Sequence, residues 1–206
     1  FIVVVMLEIQ QLTGFNSVGK NKRKKQIVLT HTSRNVSDYI SSLKNRYNGK
    51  YDKTPHFIIQ KDGRVFQMID PSFYSNILDS EQQNKTSIVI CLENLGWLKK
   101  NPLNSSYVNW IGDIYKEEVY ERKWRDYFFW DKYPEVQIEK TAELCKFLID
   151  KNKVTNKCIG HNTKINGIEN FSGILSKSNI HEDFTDLSPA FDFELFEKFL
   201  ENESVR

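Results

Sequence analysis

Apolar residues recur along this chain in two rhythms. Short runs rich in Val, Ile and Phe, bounded by turn residues, fall at 2–8, 27–31, 56–60, 64–68, 87–92 and 156–160 and predict strands. Longer stretches repeat apolar residues every three or four positions and predict helices at 36–48, 135–152 and 190–202. In the first helix Val36, Tyr39, Ile40, Leu43 and Tyr47 form the stripe, with Asn35 or Ser37 as its cap. The second opens after Pro134, a good first-turn residue, and carries Ile138, Ala142, Leu144, Cys145, Leu148 and Ile149. The third follows Ser188-Pro189 and carries Phe191, Phe193, Leu195, Phe196, Phe199 and Leu200.

The stretch "QKDGRV" (60–65) predicts a hairpin, because Asp-Gly favours the tight turn between antiparallel strands. Strands interleaved with helices, plus a hairpin, predict an α/β (α+β) fold: one domain over 1–206, with a central mixed sheet flanked by helices. Residues 97–133 break both rhythms. They crowd Trp, Tyr and Phe beside Lys, Arg, Asp and Glu, and read as a flap. Its rings, Trp97 and Trp130 among them, either stack on a ligand or fold back onto the domain.

Charge narrows the partners. The formal net charge is +2, so the chain has no overall footprint for nucleic acid. One basic run, "KNKRKK" (20–25), is either a solvated loop or a contact for anionic polymers. "FIVVVML" at the start is too short to span a bilayer and is followed by "EIQQ" rather than a cleavage site. The expectation is a monomer made in the cytoplasm without a signal peptide or transmembrane segment. The cysteines, Cys91, Cys145 and Cys158, are odd in number, include no CxxC pair, and are expected to be reduced and mostly buried.

The histidines are His31, His56, His161 and His181. His31 ends the predicted strand "QIVLT" and His161 ends "NKCIG". Strand ends deliver side chains to a shared cleft. Catalytic zinc takes three protein ligands and leaves a fourth position to water. Asp186, in "TDLSPAFDF", could supply the third.

Five pieces in order, "IVLTHTS", "PHFIIQKDGRVFQMID", "SIVICLENLG", "CIGH" and "DLSPAFDF", span 27–193. As an ordered set they resemble the zinc-dependent N-acetylmuramoyl-L-alanine amidases of the type-2 amidase and peptidoglycan-recognition-protein family, which includes many phage endolysins. The resemblance implies a Zn²⁺ cofactor held by His31, His161 and Asp186, with His181 a rival for the second histidine. It makes 162–184 look like an insertion between ligands. It also implies cleavage of the amide between N-acetylmuramic acid and L-alanine in bacterial peptidoglycan, on the cell wall, after release or as part of a virion.

Three helpers known in relatives are absent. Cys91 stands where some carry Glu, Pro55 where others carry Tyr, and Phe184 where a Lys precedes the last ligand. Glu93, two residues beyond Cys91 on the same strand face, and His56 are the candidate proton-transfer residues, with His181 third. His181, Trp97 and Trp130 are the candidate substrate contacts. The alternative reading is a peptidoglycan-binding module of the same fold with weak or no catalysis.

Overall fold

The computed structural model describes residues 7–202. In chain order its elements are β1 (Ile9–Gln11), β2 (Gly19–Lys20), β3 (Gln26–His31), α1 (Val36–Asn45), β4 (Phe57–Ile59), β5 (Val65–Gln67), β6 (Phe73–Tyr74), α2 (Glu81–Thr86) and β7 (Ser87–Leu92). Then follow β8 (Trp97–Lys100), β9 (Tyr107–Val108), β10 (Ile114–Tyr115), β11 (Tyr120–Trp124), β12 (Tyr127–Trp130), α3 (Glu135–Asn152), β13 (Gly173–Ser176) and α4 (Phe193–Glu201).

The central sheet has six strands in the order β1-β5-β4-β7-β3-β13. β4, β7, β3 and β13 run parallel to their neighbours, and β4 and β5 form the antiparallel hairpin expected from Asp62-Gly63. Gly63 has φ +87, the left-handed conformation that glycine adopts without strain. β3 and β7 are buried along their whole length, as strands covered on both faces must be. On one face Ile27, Leu29, Phe57, Ile88 and Ile90 pack against Ile138, Ala142, Cys145 and Leu148 of α3 and Phe196 of α4. On the other, Ile58 and Cys91 meet Leu43 of α1 and Met68, while Val28, Val89 and Leu175 meet Leu78 and Ile168. Each fully buried aliphatic side chain contributes about 1.5–3 kcal/mol.

The helix at 135–152 and the strand at 87–92 form over the expected residues. α1 ends early, in a turn at Arg46–Gly49 where Tyr47 (φ 52) and Asn48 (φ 54) leave the helical region. The strand expected at 2–8 lies, for residues 2–6, outside the described residues, and the nearest strand is β1. The three cysteines are free, with Cys91 and Cys145 buried. The basic run is partly internal. Lys24 is buried and donates to the carbonyls of Phe73 (2.9 Å) and Lys85 (3.0 Å), and burial pushes its pKa down to about 8.

Two expectations need correction. The expected flap at 97–133 is built around a second, five-stranded antiparallel sheet, β10-β9-β8-β12-β11. Trp130 lies fully buried within it, its indole donating to Arg122 O at 2.8 Å. More consequentially, 162–184 is no appended insertion. It contains β13, which pairs in register with β3 from Gly173↔Gln26 to Ser176↔Leu29. The strand expected at 156–160 is reduced to a single bridge, Cys158 to Ile174, on the outer side of β13. The apolar pair Ile174-Leu175 takes the inner position because both residues then sink completely into the core.

If β13 is core, Leu175→Ala costs about 2–5 kcal/mol in urea denaturation. A removable surface segment would lose no more than about 0.5 kcal/mol.

Candidate functional site

Parallel pairing sets the carboxyl ends of β3, β7 and β13 side by side, where loops leave the sheet and side chains can converge. β3 ends in His31. Its Nδ1 accepts the Ser33 amide at 3.2 Å, and its Nε2 is buried without a hydrogen-bond partner among the described residues. Gly96, with φ +76, lies against the ring: a Cβ there would stand 2.6 Å from His31 Cε1. Only glycine allows the loop after β7 to cover the imidazole this closely.

Asp186 is buried beside this histidine and accepts a hydrogen bond from Thr30 Oγ1. Burial pushes its carboxyl up, but the Lys177 ammonium, His31 and the Thr30 hydroxyl outweigh that, leaving it below the ordinary carboxylate range. Burial pushes His31 down, Asp186 pulls it up and Lys177 pushes it down again; the net direction is down.

Lys177 is the residue that sequence reasoning missed. It follows the last residue of β13 and opens a 3-10 turn, Lys177–Asn179. Ser176 caps that turn, and Asn179 Oδ1 accepts the Ser176 amide at 2.8 Å. The Ser178 amide donates to Asp186 O at 2.5 Å, so the turn and the Asp186 segment are held together. The ammonium lies 4.4 Å from the centre of the Phe184 ring. The available signal was the apolar pair Ile174-Leu175 followed, after Ser176, by a charged residue, a pattern hidden by the brevity of the strand.

The second sheet walls this site from two sides. Trp110 Nε1 donates to Ser33 O at 2.7 Å, two residues beyond His31. Arg125, in the β11–β12 turn, donates to Phe184 O, and its guanidinium stacks over Trp124 at 4.3 Å.

The other sequence candidates fall elsewhere. His161 is exposed, with Nδ1 accepting the Thr163 amide at 3.2 Å, because its segment lies outside β13. The structure does not bring it to His31 and Asp186, and among the described residues no three His, Cys, Asp or Glu side chains converge to hold an ion. His181 is also exposed, 3.4 Å from Asp183. Glu93 spends its two oxygens on the Val36 amide, at the start of α1, and the Lys61 amide, both at 3.1 Å. His56 is buried between strands. It accepts the Val89 amide at Nδ1 (3.0 Å) and donates from Nε2 to Phe73 O (3.0 Å). Burial, helped by the Lys24 ammonium, pushes its pKa down to about 3. Both residues are thus occupied in holding the fold. Trp97 is half-buried and stacked on Tyr127 at 4.6 Å.

A zinc ion does not fit this donor set as a catalytic metal. His31 and Asp186 could supply two ligands, but the neighbouring charged group at the end of β13 is an ammonium, which has no lone pair to give.

Comparison with known proteins follows the same outline. The model of the family described as N-acetylmuramoyl-L-alanine amidase matches residues 20–172, and so ends before β13, Lys177 and Asp186. No curated protein sequence matches. Among solved structures, the fold is similar to N-acetylmuramoyl-L-alanine amidase LysC from Clostridium intestinale URNW, with TM-score 0.57, 13% identity and coverage of 94% of this chain and 97% of that one. It is similar to the amidase AmiD from E. coli, solved with anhydro-N-acetylmuramic acid-L-Ala-D-gamma-Glu-L-Lys, at TM-score 0.57 and 15% identity, over 89% of this chain and 60% of that one. It is also similar to the Ph2119 endolysin from Thermus scotoductus MAT2119 bacteriophage Ph2119, at TM-score 0.53 and 12% identity, over 95% and 100%. At these identities the likeness is one of fold.

Two measurements check the placements of Glu93 and His56. Glu93→Ala should lower stability by about 1–3 kcal/mol in urea denaturation, as loss of amide bonds to a carboxylate does; an unchanged midpoint would contradict its structural role. For His56, the unfolded imidazole titrates near 6.5 and the folded one near 3. Above pH 6.5 both states are neutral and its contribution is complete. Below that, the unfolded chain binds a proton the folded chain refuses, so stability falls from pH 6.5 toward 3, by up to about 1.4 kcal/mol per pH unit. Urea midpoints at pH 7 and 5 should show this slope, reduced in His56→Gln.

Proposed function

The chain belongs to the N-acetylmuramoyl-L-alanine amidase family, and from that premise we propose that it recognises the muramyl-peptide junction of bacterial peptidoglycan, with metal-dependent hydrolysis weak or absent. The site of recognition is the cluster at the carboxyl ends of β3, β7 and β13. The observation that carries this reading is the donor set: the turn tied to Asp186 brings Lys177, whose ammonium has no lone pair, to the end of the sheet where His31 lies, and among the described residues no third ligand converges there.

The cluster suits such a ligand. A muramyl peptide offers acyl oxygens, amides and a carboxylate along one short chain. The buried, partnerless His31 Nε2 and the Lys177 ammonium offer polar and cationic partners for those oxygens. Hydrogen bonds involving a charged donor are about twice as strong as neutral ones. Trp110 and Arg125 bound the approach, Trp97 offers a stacking face for a sugar, and the exposed His181 can meet the stem peptide. We place the protein in a phage lytic or virion-borne setting, acting on the cell wall after release; the occurrence of this fold in an endolysin supports that setting.

A second reading, zinc-dependent cleavage of the N-acetylmuramic acid–L-alanine amide, is favoured by one observation. A buried imidazole nitrogen without a partner, beside a carboxylate, is half of a metal site.

The two readings separate in one experiment on the wild-type protein. Purified sacculi should pull it down equally with and without chelator, and muropeptide release should stay near the no-enzyme level. Chelator-sensitive release of peptides with a free L-alanine amine would establish the hydrolase instead. Failure to bind sacculi would remove the recognition reading.

A further inference from the structure

We infer that Lys177 is the resident cation of this site: its ammonium supplies, from within the chain, the positive charge that His31 and Asp186 would otherwise share with a divalent ion. The inference deepens the proposed function, but its metal arm can be tested without any peptidoglycan.

Three observations place the lysine in that role. First, register. Ser176, the last residue of β13, lies opposite Leu29, and Lys177 follows it into the 3-10 turn at the same end of the sheet as Thr30, which holds Asp186. Second, attachment. The Ser178 amide binds Asp186 O, and Ser176 and Asn179 close the turn reciprocally, so the backbone carrying the lysine is fixed relative to the carboxylate. Third, charge. Asp186 is buried, and Arg125, a second cation that acts on it, is anchored to Phe184 O on the wall of the site. A buried carboxylate without compensating charge is strongly unfavourable. The cation nearest in influence to Asp186 is Lys177. A zinc ion entering here would gain two ligands and face that ammonium, an arrangement that repels rather than coordinates it.

The same geometry says what would restore a metal. Histidine at this position would offer an imidazole lone pair from the end of β13 and remove the competing charge. With His31 and Asp186 it would complete three ligands from neighbouring elements and leave a fourth position open.

The test uses the full chain and zinc ion alone. After dialysis against zinc and desalting, wild-type protein should carry well under one equivalent by elemental analysis, and zinc should leave its melting temperature unchanged. Lys177→His should bind one equivalent at least about 100-fold more tightly than wild type, exceeding the effect usual for indirect changes around a metal, and should melt higher with zinc than without. Lys177→Met, which removes the charge and adds no strong ligand, should stay near wild type in affinity. Stoichiometric zinc in wild type, lost in His31→Ala, would overturn the inference, even if Lys177→His fails to fold. Lys177→Met binding zinc as tightly as Lys177→His would overturn the three-ligand geometry. Zinc results as expected without sacculus binding would leave the cation assignment standing and remove only the peptidoglycan reading.

Discussion

A carboxylate buried at the end of a parallel sheet sets the terms for everything around it. Asp186 loses water on folding and keeps its charge only because Thr30, Lys177 and His31 answer it. The penalty for burying such an ion is several kcal/mol, repaid only by well-placed partners. Those partners come from β3 and from the turn that follows its neighbour β13. The pairing of β13 with β3 is consequently an electrostatic requirement as well as a hydrophobic one. If the strands slipped by one residue, Ile174 and Leu175 would exchange faces and Lys177 would leave the carboxylate.

The second sheet is tied to this arrangement rather than merely covering it. At its root the buried Asp131 accepts the Leu95 amide at 2.7 Å and pairs with Lys61, while Asn94 donates to the carbonyls of Asp131 and Lys132. At its far side Trp110 holds the loop after His31, and Arg125 holds the segment before Asp186. A sheet pinned at its root and at both walls of a cleft gives that cleft a fixed width. This favours recognition of one ligand shape, since little ordering has to be supplied on binding.

Much of this was legible in the sequence, and the failures share a cause. Long periodic signals were read well: 135–152 as a helix, 87–92 as a strand, Asp62-Gly63 as a hairpin. His31 does end a strand, after the apolar run 27–29, and Asp186 is held against the same strand by Thr30. What misled was the competition between two short segments. "NKCIG" carried a strand-like pattern and a terminal histidine, whereas "GILS" is four residues set between Ser172 and Lys177. Local pattern could not rank them, because the ranking depends on which pair of side chains fits between β3 and the residues packed over it. Once the wrong segment was taken as the inner strand, His161 inherited the place that belongs to Lys177. Glu93 and His56 were misread for a related reason. A carboxylate and an imidazole look the same in sequence whether they face a ligand or, as here, satisfy backbone amides inside the fold.

If Lys177 stands in for a metal, as proposed above, the substitution also bears on what the chain lacks elsewhere. A zinc ion does two things for amide cleavage: it stabilises charge on the acyl oxygen, and it delivers a hydroxide at neutral pH. An ammonium can do the first in part and cannot do the second, having no open coordination position. A group that protonates a departing amine is useful only if a nucleophile has attacked. The thiol at Cys91 is no such group. It is fully buried and pushed up to about 12 by burial, so near neutral pH it stays a protonated thiol inside the core, away from any ligand. Pro55 has no side-chain proton at all, and the Phe184 ring packs against the Lys177 ammonium instead of offering a second amine. On the recognition reading proposed above, none of these three positions has to move a proton, which is consistent with a lysine at the end of β13.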